Sequence, residues 1–185
     1  SVRRQDFSEC HVRHGVHLNI DGPVDYATRV LASRHPDYLI GFASVDPYLG
    51  DHAVSDLREA VEKLGLRGLK IHPRRQNAGI DQLELLMPLV ACAATLQIPV
   101  LIDAFPCGRD WFRMCELEVV SVLAERHPDA RIILAHAGGH RVFDAMLVAK
   151  AHANVWVDIS FTPTYYQNTS VEHDLVQVIR KLGPK

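Results

Sequence analysis

Acidic and imidazole residues recur where short apolar runs of this chain end. Asp46 follows Ala43-Ser44-Val45, His72 follows Leu69-Lys70-Ile71, and Asp103 follows Val100-Leu101-Ile102. His136 follows Ile133-Leu134-Ala135, and Asp158 follows Val155-Trp156-Val157. Such groups carry protons near neutral pH and ligate divalent ions. His136 is the first choice for proton transfer. Gly138 and Gly139 behind it let backbone amides approach a substrate oxygen at a helix start, where anions are favoured.

The neighbouring residues suggest how a substrate is held. Arg74 and Arg75, beyond His72-Pro73, offer guanidinium groups that pair two-pronged with a substrate carboxylate or else sit solvated. Asp103 either joins the site or caps the Ala104-Phe105-Pro106 turn. Asp158, on one strand face with Ser160, either serves the site or bonds loop amides. Lys70 shares its strand face with His72 and needs a carboxylate partner, for which Asp46 is the candidate. Asp46 itself precedes Pro47 and reads as a turn starter. His11, His14 and His17 do not share a face once Gly15 interrupts them, and read as solvated or satisfied.

These residues need elements that bring them together. Strand-like runs fall at 16–20, 38–45, 68–72, 98–103, 131–136 and 154–159. Helical periods fall at 24–33, 53–64, 83–96, 112–125, 142–151 and 171–182, with Asp81 and Ser170 as N-caps and Gly65 and Gly183 as C-caps. The strands are apolar on both faces, as in a covered parallel sheet. Two architectures fit six successive βα units: an open doubly wound sheet and a (β/α) barrel. No glycine-rich phosphate loop follows the first strand, and polar residues end almost every strand, which favours the barrel. Trp111, Phe112 and Met114 read as core or dimer contacts, and the loop from Phe105 to Trp111 as a cover for substrate.

Bulk properties narrow the function. The 185 residues, 48% hydrophobic and 23% charged, suit one globular domain over 1–185. A net charge of -2 provides no footprint for nucleic acid, and no apolar run is long enough to span a bilayer. Four cysteines without CxxC spacing read as free thiols in a reducing, cytoplasmic setting. The opening residues lack the apolar stretch of a secretory signal.

Five segments in order resemble amidohydrolase family 2, the branch with amino-carboxymuconate-semialdehyde decarboxylase, aromatic-acid decarboxylases, lactonases and hydratases. They are residues 35–47, 65–73, 98–103, 133–139 and 154–160. The resemblance implies an α/β fold of the (β/α)8 TIM-barrel type, of which this chain holds six units and lacks the first and last strands. It also implies hydrolase or carboxy-lyase chemistry on a small carboxylated or aromatic-derived substrate. His136 becomes the catalytic acid/base, near a divalent metal (zinc or manganese), and His72, Arg74, Arg75 and Asp158 face substrate.

The departures matter as well. No His-x-His precedes the first strand, no Gly-Ser-Asp follows the last helix, and Asp103 stands where relatives carry a metal-binding His. Asp103 is then either an oxygen ligand for the metal or a sign that the metal is lost. The alternative reading is a truncated or inactive member with a structural or binding role. Six units of eight would leave sheet edges open, for which a homodimer is the expected cover.

Overall fold

The computed structural model describes residues 11–18, 34–35, 37–106 and 116–183. Within them lie β1 (Gly15–Leu18), β2 (Leu39–Phe42), β3 (Leu69–Ile71), β4 (Pro99–Asp103), β5 (Arg131–Ala135) and β6 (Val155–Val157). The longer helices are α1 (Asp51–Glu62), α3 (Leu83–Thr95), α4 (Glu116–Arg126), α5 (Val142–Ala151) and α7 (Ser170–Leu182). Single-turn helices α2 (Pro73–Gln76) and α6 (Thr162–Tyr165) follow β3 and β6. The helix expected at 24–33, the start of that at 112–125, Trp111, Phe112, Met114 and three of the cysteines (Cys10, Cys107, Cys115) lie outside the described residues. Cys92 is free and buried.

Every strand pairing is parallel and follows chain order. β1 pairs with β2, and β3, β4, β5 and β6 pair in sequence. A bridge from Ala43 to Leu69 joins the two groups, with the Lys70 amide donating to the Ala43 carbonyl at 2.7 Å. An open doubly wound sheet would reverse strand order at a switch point; none occurs among the described residues.

Side-chain alternation explains the layers. Leu69, Ile71, Val100, Ile102, Ile132, Leu134 and Val155 point to one face and pack on the helices as the main core. The opposite face carries only a small apolar cluster around Phe42, Leu101 and Ala135. Lys70 and Asp103 occupy this second face as well. One helix-covered face and one inner face with mixed residues is a barrel wall.

Local signals set the boundaries. Gly183 (φ 69°) ends α7 as expected. Gly65 (φ 73°) turns the chain after α1 so that the Leu66 amide reaches the Ala60 carbonyl at 3.0 Å. Three expected caps shift. The C-cap of α1 is Lys63, two residues before Gly65. Asp81 sits within a 3-10 turn, Ile80–Gln82, so α3 starts after it; Thr169 caps α7 and Ser170 is its first residue. No helix among the described residues is long and apolar enough to cross a membrane.

Gly68, just before β3, lies against the Phe42 ring, and a Cβ there would overlap the ring atoms. Gly68→Ala should therefore destabilise the fold by about 1–3 kcal/mol in denaturant unfolding. Unchanged stability would show that Phe42 moves aside freely.

Candidate active site

The strand register fixes where the polar residues meet. Ile71 is paired with Ile102 and Asp103 with Ala135, so His72, Asp103 and His136 leave neighbouring strands at one edge. Leu134 is opposite Val157, which places Asp158 at the same edge. Four of the five strand-end groups thus meet at one edge, while Asp46 starts a turn of its own.

Asp103 is the hub, with 5% of its surface exposed. Its Oδ1 accepts from Arg74 Nη2 at 3.1 Å and from the Phe105 amide at 3.2 Å. Its Oδ2 lies 3.2 Å from His136 Nε2, 3.6 Å from Lys70 Nζ and 3.6 Å from His72 Nε2. Asp103 thus caps its turn, as one reading of it expected, and the same carboxylate gathers the cationic and imidazole groups at this edge. Burial alone would raise its pKa. The His136 hydrogen bond and the Lys70 charge outweigh that, holding the carboxyl well below the usual carboxylate range.

Lys70 is 1% exposed. Its partner is Asp103, not Asp46, because the long side chain runs along the inner face to the strand end. Asp46 instead accepts from the Tyr48 amide at 3.0 Å and starts a 3-10 turn. Burial pushes the Lys70 pKa down, and Asp103 partly restores it. Burial also pushes His72 down, to about 4, so this imidazole is neutral at pH 7. The His72 amide donates to Gln76 Oε1 at 2.8 Å, and Gln76 Nε2 donates to the Val45 carbonyl at 2.8 Å, which fixes the loop carrying Arg74.

His136 opposes the trend of its neighbour. Burial would lower its pKa, but the Asp103 hydrogen bond and charge and the Ser160 carbonyl raise it. Both ring nitrogens face acceptors: Nε2 faces Asp103, and Nδ1 lies 3.0 Å from the Ser160 carbonyl. A neutral imidazole has only one N–H to give, so this setting favours the imidazolium. The residue sits at φ 62° and Ala137 at φ 48°, conformations unusual for non-glycine residues. Asp158 Oδ2 holds the turn by accepting from the His136 amide at 3.2 Å and from Ser160 Oγ at 2.5 Å. The Thr162 hydroxyl donates to the His136 carbonyl.

Gly139 acts differently from expectation. The Gly139 amide donates to the His136 carbonyl at 2.8 Å and so is not aimed at a ligand. A Cβ at Gly139 would stand 2.7 Å from Pro106 Cδ, so its role is close packing against the Phe105-Pro106 loop.

Three groups escaped the sequence reading. Glu116, the first residue of α4, is 3% exposed, and its Oε1 lies 3.5 Å from Arg74 Nε. Burial raises its pKa. Nothing in Glu116-Leu117-Glu118 distinguishes it from its neighbour; only the fold does. Thr162 gave no signal either. The aromatic residues Phe161, Tyr165 and Tyr166, from the segment after β6, form the third group, gathered around Phe105. Arg75 is exposed on α2.

A divalent ion fits this donor set poorly. Among the described residues no group of three or more His, Cys, Asp or Glu side chains is arranged to hold one. Both Asp103 oxygens already face cationic or N–H donors, and Lys70 approaches the same oxygen as the two histidines. The arrangement suits a charged proton donor beside anion-binding groups.

Comparison with known proteins defines the class. The family model for amidohydrolase family 2 matches residues 16–182, and the chain belongs to that family. No curated protein matches the chain. Among solved structures, an uncharacterized TIM-barrel protein of Bordetella bronchiseptica matches with a TM-score of 0.76 and 18% identity, over 94% of this chain and 62% of that one. A probable 2-pyrone-4,6-dicarboxylic acid hydrolase from Acinetobacter baumannii, with citric acid bound, matches at 0.63 and 15%, over 97% and 67%. A 5-carboxyvanillate decarboxylase from Novosphingobium aromaticivorans, with bound manganese, matches at 0.61 and 12%, over 96% and 66%. The fold is thus of the TIM-barrel type, and the chain spans 62–67% of the length of these proteins.

Removing the hub charge should cost stability and change its pH dependence. Asp103→Asn leaves the buried Lys70 without its counter-charge, at a cost of about 3 kcal/mol. In the wild type, the depressed Asp103 pKa contributes stability that is complete above its unfolded value and is lost as acid protonates it. Urea unfolding from pH 7 down to strong acid should show that loss in the wild type and not in Asp103→Asn. Parallel profiles would contradict it.

Proposed function

We propose that the chain carries the reactive rim of a hydrolase or carboxy-lyase acting on a small carboxylated or aromatic-derived substrate. The observation that carries this reading is the imidazolium setting of His136 beside the buried Asp103 carboxylate. His136 is the general acid. In decarboxylation, the electron pair of the breaking carbon–carboxylate bond passes to the substrate carbon, which takes the proton from His136 as CO2 leaves. In hydrolysis, water adds to the carbonyl carbon, the same proton goes to the leaving oxygen as the carbon–oxygen bond breaks, and the added water returns a proton to the imidazole.

The other residues hold and orient. Asp103 is the counter-ion that keeps His136 charged, and Asp158 with Ser160 sets the turn that aims its ring. The guanidinium of Arg74, braced between Asp103 and Glu116, and the exposed Arg75 supply positive charge for a substrate carboxylate. Neutral His72 donates or accepts a hydrogen bond at the same edge. Family relatives that are hydrolases and decarboxylases, including the two named above, support this assignment of reaction type.

The zinc or manganese expected from the resemblance enters no step here. Manganese in the 5-carboxyvanillate decarboxylase favours a metal for the family, while the cations around Asp103 argue against this residue as its ligand. Calorimetric titration of the full-length protein with Mn2+ and with Zn2+ separates the two. Binding that is unaffected by Asp103→Asn is expected to be the outcome; stoichiometric binding lost in that variant would restore Asp103 as a metal ligand. A homodimer remains the proposed assembly.

His136→Gln should lower kcat by about 10²–10⁴-fold with little change in KM. Because the acid form acts and its pKa is raised above the ordinary histidine value, kcat should be full on the acid side of that raised pKa and fall as pH rises through it. A rate that climbs with pH over the same interval would make His136 a base and overturn the assignment.

A further inference from the structure

Glu116 is buried beside the site, and the chemistry above gives it no proton to hold or release. Its side chain comes from α4 and is 3% exposed, and its Oε1 lies 3.5 Å from Arg74 Nε, longer than a good hydrogen bond. That oxygen is buried and accepts no hydrogen bond. The other two carboxylates of the rim are well supplied. Asp103 accepts from Arg74 Nη2 and the Phe105 amide and faces Lys70 and His136. Asp158 accepts from the His136 and Ser160 amides and from Ser160 Oγ.

We propose that Glu116 is a proton acceptor coupled to ligand binding: a carboxylate ligand docking at Arg74 draws a proton from solution onto Glu116. The inference rests on the reading of Arg74 as a holder of the substrate carboxylate, and it states what the site must take up together with that ligand.

The charge balance supports this. Among the enclosed groups, Lys70, Arg74 and His136 supply positive charge, and Asp103, Asp158 and Glu116 oppose them one for one. A ligand carboxylate adds a further anion, and a desolvated charge without a partner is costly. A proton restores the balance. It settles on the carboxylate with the least support, because donated hydrogen bonds favour the charged form of the others. Glu116 is that group. Burial raises its pKa and the Asp103 charge adds to this, while its own amide and the Arg74 charge oppose it. Arg141 acts on it as well, but Glu118 at 3.0 Å and Asp144 at 2.9 Å already engage that guanidinium. Once protonated, Glu116 no longer competes with the ligand for Arg74. A neutral His136 would leave less positive charge and make the proton more necessary.

Calorimetric titration of the full-length protein with benzoate, in two buffers of different ionisation enthalpy between about pH 6 and 8, counts the protons bound with the ligand. The wild type should take up as much as about one proton per benzoate, and Kd should rise by up to about tenfold per pH unit. Glu116→Gln copies the protonated form. It should bind as tightly as the wild type does at the acid end, with the uptake lost apart from any share due to His136. Infrared difference spectra of the wild type, at the pH of greatest uptake, read the same event without a substitution. Benzoate should bring up the carbonyl stretch of a protonated carboxyl. Equal uptake in both proteins, weaker binding by Glu116→Gln at every pH, absence of that band, or no binding of benzoate overturns the proposal. Failure of the Arg74 reading shows separately, as unchanged benzoate affinity in Arg74→Gln. Failure of the proton-donor reading, with His136→Gln keeping its turnover, would leave the proton count standing.

Discussion

Burial drives a carboxyl group toward its neutral form, and Asp103 is buried, yet its pKa is lowered and it stays ionised. Only its company explains this. Lys70, Arg74 and His136 each direct a donor at its two oxygens, and the Phe105 amide adds another. Desolvating these charges costs several kcal/mol per ion unless each finds a partner. The pairing with Asp103 therefore decides that Lys70 can occupy the inner face, that Arg74 lies against the rim, and that His136 keeps its proton.

The same pairing links the fold to the chemistry. Parallel order and register deliver His72, Asp103, His136 and Asp158 to one edge, but delivery alone gives no reactivity. The turn after β5 has to place the imidazole between a carboxylate and a carbonyl, and it does so with two residues in the left-handed region. Asp158, Ser160 and Thr162 hold that turn. Strain in the backbone is thus retained where the acid form of the histidine is made.

Much of this was legible in the sequence, for reasons of periodicity. Apolar runs ending in Asp or His predicted both the strands and their common rim, and the helix at Val142–Ala151 has the bounds that its pattern indicates. What could not be read depends on reach or on conformation. Lys70 passes over the nearer chain residue Asp46 to reach Asp103, because its four-carbon stem follows the inner face across strands. Phe161 adopts positive φ without being Gly or Asn, so no residue type announces the turn. Glu116 becomes part of the site only through the packing of α4 against Arg74. The family resemblance rested on residues 35–160 and agrees with the match over 16–182, while the metal role it implied for Asp103 meets a crowd of cations.

The central claim concerns a charge state and is open to direct observation. Nitrogen-15 NMR of the full-length protein with labelled histidine distinguishes an imidazolium from either neutral tautomer. At pH 7 both ring nitrogens of His136 should carry protons; a neutral tautomer at that pH would contradict the account.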